Sequence, residues 1–254
     1  MKMLIIITIS LLFVQCPEKE KNTISKAEDC NFRMDTFSYV DNIRNRNIPI
    51  AIYRPQSDST ANNVPVIFSH GYGENKGGDY LVYSYLTESL ASKGYFVVSI
   101  QHELPTDSLL PMTGNFKETR RPNWENGVKN IHFVLNQIKK EFSKLNYEKM
   151  ILIGHSNGGD MTALFAHKYP ELVEKVILMD NRRMEIPRTS KPRIFTLRSG
   201  DYPADEGVLP TTEEIKKYGI IIQPTEIKHS NMDDDANTDE RKYILEKILE
   251  YLSK

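Results

Sequence analysis

Residues 149–170 read KMILIGHSNGGDMTALFAHKYP and place Ser156 between Gly154 and Gly158. A serine hydroxyl is a weak nucleophile. It attacks a carbonyl carbon only with a base in hydrogen-bond reach and from an exposed position. The flanking pattern supplies the position: MILIG is a short apolar run of strand character, and from Gly158 onward apolar residues recur at helical spacing, so Ser156 falls on the turn between strand and helix. Such a sharp turn strains the serine backbone and brings strand and helix so close that side chains two residues before and after would collide. Gly154 and Gly158 remove those side chains, and Gly159 widens the clearance. The chemistry this points to is acyl transfer through a covalent acyl-serine. A glycine-rich turn holding a surface serine would look the same locally, so the surrounding elements have to decide.

Those elements alternate. Short β-rich runs are expected as strands at Phe37 to Val40, Pro49 to Tyr53, Val64 to Ser69, Tyr95 to Ile100, Met150 to Gly154, Lys175 to Met179, Arg193 to Leu197 and Ile220 to Pro224. Helical patterns run from Tyr80 to Ser92, Trp124 to Leu145, Gly158 to Tyr169 and Glu240 to Leu252. Strands alternating with helices predict an α/β fold with a mainly parallel sheet of about eight strands, covered by helices on both faces. The segment from Glu103 to Asn123 is long, proline-punctuated and without period; loops of that length in compact domains tend to be functional.

With 254 residues, 39% hydrophobic and 26% charged, the chain can bury one sizeable core. A net charge of -1 with scattered Lys and Arg gives no basic field for nucleic acid. The amino terminus differs: Lys2 precedes an apolar segment from Met3 to Val14, too short to span a bilayer comfortably and suited to a signal-peptide core. It ends in FVQC and then PEKEKN, so Cys16 sits where a bacterial lipoprotein carries its acylated cysteine, although Phe13 and Gln15 depart from the usual residues there. The expected organisation is a leader over 1–16, a flexible tether over 17–35 and a catalytic domain over 36–254, lipid-anchored in a bacterial envelope or secreted. Only Cys30 then remains beyond the leader, so no disulfide framework or cysteine metal site is expected. Asp233-Asp234-Asp235 reads as a solvated loop, and HGYGENKGG lacks the ending of a phosphate loop. No metal and no cofactor are expected.

Gly154-His155-Ser156-Asn157-Gly158 resembles the nucleophile elbow of the α/β-hydrolase family, and the resemblance runs from about Phe37 to the carboxyl terminus with its elements in family order. Within the family the stretch from His70 to Glu103 looks most like dienelactone-hydrolase-type and platelet-activating-factor-acetylhydrolase-like bacterial esterases. Several roles follow from the resemblance. VPVIFSHGYG, Val64 to Gly73, is similar to the oxyanion loop, which assigns the oxyanion donors to the backbones of Tyr72 and Asn157 and gives His70 an orienting role. The family order of serine, acid, histidine selects His229 among six histidines, because it follows a predicted strand and precedes the terminal helix. The acid is expected after the penultimate core strand. Asp201 fits that place best, with Asp205 as an alternative and Asp180 as a third, since some relatives carry the acid one strand earlier.

The resemblance implies a serine esterase acting on a small-molecule ester, with a peptidase or acyltransferase on the same triad as the enzymatic alternative. A non-catalytic envelope ligand-binding protein on this fold is the reading from another class. The 103–123 loop leaves the carboxyl end of a strand, the edge where open α/β sheets hold ligands. His102, Met112, Arg120, Arg121 and Trp124 are accordingly expected to line the substrate pocket, with the arginines facing an anionic part of the substrate or pairing with Glu118 and Glu125.

Overall fold

The computed structural model describes residues 31–57 and 61–254. The leader, Cys16, Cys30 and most of the expected tether lie outside the described residues. Eight strands form the sheet: β1 (Phe32–Asp41), β2 (Arg46–Pro55), β3 (Pro65–Ser69), β4 (Phe96–Ile100), β5 (Ile151–His155), β6 (Lys175–Met179), β7 (Arg193–Arg198) and β8 (Ile221–Pro224). Their order is β1-β2-β4-β3-β5-β6-β7-β8; β1, β2 and β4 pair antiparallel and β4 through β8 run parallel. The expected strands are all present, with ends shifted by a few residues.

One boundary moves further. Residues 32–35, expected in the tether, are strand: Phe32 pairs with Pro55 and Asp35 with Ile52, and Arg54 Nη2 meets Asp35 Oδ2 at 2.6 Å. Most side chains of β1 stay exposed, so this edge strand carries little of the apolar signal that marks a strand in sequence.

The helices are α1 (Ser84–Ser92), α2 (Phe116–Thr119), α3 (Arg121–Glu141), α4 (Ser156–Lys168), α5 (Thr212–Tyr218) and α6 (Thr238–Ser253). β3, β4, β5 and β6 are buried along their whole length, as strands covered on both faces must be. On one face Trp124, Val128, Ile131 and Leu135 of α3 pack with Met161, Leu164 and Phe165 of α4. On the other, Leu86 and Leu90 of α1 join Ile244, Ile248 and Tyr251 of α6. Helix α3 starts three residues earlier than expected, and α2 precedes it inside the supposed loop, capped by the Asn115 side chain on Lys117 N. Helix α5 is an addition to the expected set, yet its signals are local: Thr211 and Glu214 form a capping box, and Gly219 ends it at φ 66°.

From β3 the chain winds outward to β4 on one side and, later, to β5 on the other. This reversal of winding opens a crevice at the carboxyl edge of the sheet, where ligands of such sheets bind. Ser156 follows β5 at that edge.

Candidate active site

Ser156 has φ 53°, a left-handed backbone that a non-glycine residue adopts only when its surroundings impose it. The glycines around it show what imposes it. A Cβ on Gly154 would lie 2.4 Å from Thr162 Oγ1 and 2.5 Å from Gly158 O. A Cβ on Gly158 would meet His70 O at 2.2 Å and Ser69 O at 2.5 Å, so this glycine seats the start of α4 against the exit of β3. Both positions are closed to any side chain.

His229 stands in a short turn after β8, with Nε2 2.8 Å from Ser156 Oγ and Nδ1 2.6 Å from Asp180 Oδ2. Asp180 follows β6 directly, is fully buried and has φ 52°. Its second oxygen lies 2.9 Å from Arg198 Nη2 and accepts the Ser199 N–H at 3.1 Å. Burial alone would raise the Asp180 carboxyl, but the bond to His229, the Arg198 charge and Ser199 outweigh it and hold the pKa down at about 2. An ionised carboxylate on Nδ1 keeps the proton there and leaves Nε2 free to accept the serine proton.

The acid beside the imidazole is therefore Asp180, and the first expectation, Asp201, is corrected. Asp201 is exposed and accepts the backbone N–H of His229 at 2.8 Å, which ties down the turn that carries the histidine. Asp205 pairs with Arg183, and its N–H donates to Arg182 O at 3.0 Å. The reason lies in the sheet order. β6 is the immediate neighbour of β5, with His155 opposite Met179, so residue 180 stands beside residue 156 with no strand between them. β7 lies one strand further out.

Three buried side chains, His155, Tyr83 and His70, hold the loops around the serine. The His155 ring lies 4.8 Å from the His229 ring, and burial together with that neighbour pushes its pKa down to about 3, so it stays neutral. Tyr83 Oη lies 2.7 Å from His155 Nδ1 and accepts the Gly71 N–H at 2.9 Å. His70 Nδ1 donates to Gly71 O at 2.6 Å while its Nε2 accepts the His102 N–H at 2.9 Å. Because the Gly71 carbonyl and the Tyr72 N–H share one peptide plane, these bonds set the direction of the Tyr72 N–H.

Asn157, in the first turn of α4, is clamped through its side chain: Oδ1 accepts Trp124 Nε1–H at 2.9 Å, and Nδ2 donates to Glu103 Oε1 and Asn123 Oδ1, each at 2.8 Å. Its backbone N–H belongs to the helix end that has no intrahelical acceptor. Glu103 is buried, which raises its pKa against the opposing pull of His70 and Asn123. Sequence reasoning misses Glu103, because a lone glutamate after a strand carries no signal.

The expected pocket wall changes accordingly. His102 and Trp124 are buried and line no open surface; Trp124 acts behind Asn157, and burial drives the His102 pKa well down. Arg121 pairs with Glu125 at 2.9 Å on the exposed side of α3, and Met112 is largely exposed. Arg120 remains half-buried on this edge. What the arrangement can do is nucleophilic chemistry: a serine hydroxyl, an imidazole aimed at it and a carboxylate behind the imidazole.

Comparison with known proteins agrees with this architecture. The sequence model of the alpha/beta hydrolase fold matches residues 64–200, more than half of the chain. A serine hydrolase-like protein of Danio rerio is 25% identical over 133 residues, covering 52% of this chain but 36% of its own length, so the chain matches only about a third of that relative. Among solved structures, Thermogutta terrifontis esterase 2 phosphonylated by cyclosarin superposes with TM-score 0.62 at 14% identity, covering 86% of this chain and 93% of that one. A dienelactone hydrolase homologue from Klebsiella pneumoniae gives TM-score 0.61 at 12% identity, covering 88% and 99%. Fold, elbow and sequence match converge, and the chain belongs to the α/β-hydrolase fold family.

Proposed function

We propose that this protein is a serine hydrolase of carboxylic esters in which Ser156, His229 and Asp180 act as the triad. The observation that carries the reading is the continuous hydrogen-bonded line from Ser156 Oγ through His229 to Asp180, at 2.8 and 2.6 Å. Ser156 Oγ attacks the ester carbonyl while His229 Nε2 takes its proton, and Asp180 stabilises the imidazolium that forms. The negative charge gathering on the carbonyl oxygen is received by the backbone N–H groups of Tyr72 and Asn157, both held in advance by buried hydrogen bonds. His229 then protonates the departing alcohol, and a water molecule, activated by the same imidazole, releases the acid from Ser156. Most of the superposed proteins are named esterases, which supports the ester reading, while a dipeptidyl aminopeptidase IV homologue on the same fold keeps the peptidase as the alternative.

Labelling with a fluorophosphonate probe and hydrolysis of p-nitrophenyl butyrate test this. Wild-type protein is expected to be labelled at Ser156 and to turn over the ester, and Ser156→Ala to lose up to about a millionfold in rate on the precedent of serine hydrolases. His229→Ala should be nearly as damaging and the double variant scarcely worse, since the two residues act as a unit. Full activity of Ser156→Ala would overturn the reading. The envelope location is part of the same proposal and rests on the leader and Cys16; incorporation of a palmitate analogue that disappears in Cys16→Ser tests it.

A further inference from the structure

Strands β3 to β8 run parallel, so the sheet has two unlike edges. Ser156, Asp180 and His229 all follow strands at the carboxyl edge. The amino edge collects the last turns of the helices and the connections into the next strand. Lys144 and Lys149 lie between α3 and β5, Lys191 lies before β7, and Lys140, Lys216 and Lys217 lie in the last turns of α3 and α5. All six are exposed, and among the described residues none forms an ion pair. Lysines in last helical turns complement the helix dipole. That account does not reach Lys144, Lys149 and Lys191, which lie outside the α-helices.

Two open cavities of about 300 Å³ cut into this edge, each with room for a phosphate headgroup. Arg33, Arg54 and Lys144 line one beside Asn63 and Gly94; Lys149, Lys175, Arg193 and Lys254 line the other beside Val64 and Tyr95. Residues 63 and 64, like 94 and 95, are chain neighbours, so the two cavities adjoin. Asp35 pairs with Arg54 at 2.6 Å, Glu174 with Arg193 at 3.3 Å and Glu250 with Lys254 at 3.0 Å, which leaves Arg33, Lys144 and Lys149 as the unpaired cations facing out. The carboxyl edge differs. Glu118, Asp201, Glu206, Glu226 and Asp235 are exposed there, and Lys76 and Lys117 are paired with Glu74 and Glu185. In a chain of net charge -1, this separation makes the domain an electrical dipole along the strands.

The amino-terminal part of the chain joins the domain at the same basic edge. Asn31 O accepts the Gln56 N–H at 2.9 Å, and Phe32 pairs with Pro55 at the end of β2, where Tyr53 stands opposite Val97 near the start of β4. An anchor at Cys16 therefore pulls on the amino edge.

We infer that the amino edge of the sheet is a docking face for a bilayer with anionic headgroups, which meets the cations around Lys144 and Lys149 and turns the Ser156 edge toward water. Lysines near such a surface each add to the attraction, which fades within a Debye length. The orientation rests on the envelope reading of Cys16; the charge-driven binding does not.

Vesicle flotation of the full chain carrying Cys16→Ser tests this, with vesicles of phosphatidylcholine alone or with about one-third phosphatidylglycerol. Binding to the anionic vesicles is expected to be about tenfold stronger or more, and about 0.5 M salt should abolish the difference. Lys144→Glu/Lys149→Glu/Lys191→Glu should lose the preference. Lys76→Glu/Lys117→Glu/Lys242→Glu makes the same charge change at the carboxyl edge and in the first half of α6, and should keep it; circular dichroism checks both folds. Equal binding to the two kinds of vesicle, or equal loss in the two triple variants, overturns the docking face. So does binding of heparin without any vesicle preference, which would assign the edge to a soluble polyanion. A vesicle preference in a protein whose Cys16 takes up no palmitate analogue would sink the envelope anchor alone. Labelling at Cys16 without the preference would sink the docking face alone.

Discussion

His229 is held by two aspartates in different ways: Asp180 Oδ2 lies 2.6 Å from its ring nitrogen, while Asp201 Oδ1 takes its backbone N–H at 2.8 Å. One contact governs the tautomer of the ring, the other the position of the turn that carries it. The two should separate in kinetics.

Asp180→Asn is expected to lower ester turnover by about 10,000-fold, the scale known for a triad aspartate, because the amide presents the wrong partner to Nδ1. Asp201→Asn keeps an oxygen for the His229 N–H and should cost far less. A loss from Asp201→Asn equal to that from Asp180→Asn, with both proteins folded, would return the acid role to Asp201.

Glu103 should act through Asn157. Its Oε1 accepts Nδ2–H groups from Asn123 at 3.1 Å and from Asn157 at 2.8 Å, so removing it leaves a buried Asn157 donor and a half-buried Asn123 donor without this acceptor and loosens the turn that bears the proposed oxyanion N–H. Glu103→Ala is expected to lower kcat about tenfold or more with a smaller change in KM. Glu103→Gln retains a carbonyl oxygen and should recover most of the rate; equal damage by both substitutions would show that the charge, not the acceptor, matters.

Acid stability should carry the signature of Asp180. Its carboxyl is held at about 2 in the folded chain against 3.8 as the ordinary value, so between those pH values the unfolded chain binds the extra proton. The contribution is complete above about pH 4 and disappears as the pH falls toward 2. Denaturant titrations should therefore show the stability advantage of wild type over Asp180→Asn shrinking from pH 5 to pH 3. A constant difference across that range would contradict the assigned pairing.

Gly158→Val should fail in folding rather than in chemistry. A Cβ there meets backbone oxygens of His70 and Ser69 at 2.2 and 2.5 Å, atoms that cannot rotate away. Ser156→Ala, by contrast, should leave the melting temperature unchanged or slightly raised, since functional sites often carry strain that costs stability. Thermal melts of the two variants distinguish these outcomes.

Much of the fold is legible in the amino-acid sequence because the relevant physics is local. The alternation of strands and helices, the turn at Ser156 and the need for glycine at 154 and 158 all follow from interactions within short stretches of chain. Helix α5 is missed because its apolar pattern is too short to mark it, although Thr211, Glu214 and Gly219 are local signals of its ends. The edge strand β1 is obscured because its exposed side chains blur the alternation.

The choice of acid is not legible in this way. Asp180, Asp201 and Asp205 all follow strands at the same edge of the sheet, and only the placement of β6 directly beside β5 brings Asp180 under the imidazole. Likewise Glu103 meets Asn157 across 54 residues, and Arg120 and Arg183 meet over Phe116 from separate loops. Sequence alone determined the strand-to-helix elbow that carries Ser156 and the class of sheet, since periodicity and steric exclusion act between near neighbours in the chain. Tertiary structure decided which aspartate meets the His229 ring, the support behind Asn157 and the meeting of Arg120 and Arg183 over Phe116, because contacts between distant segments depend on the order in which strands pack, and residue types do not encode that order locally.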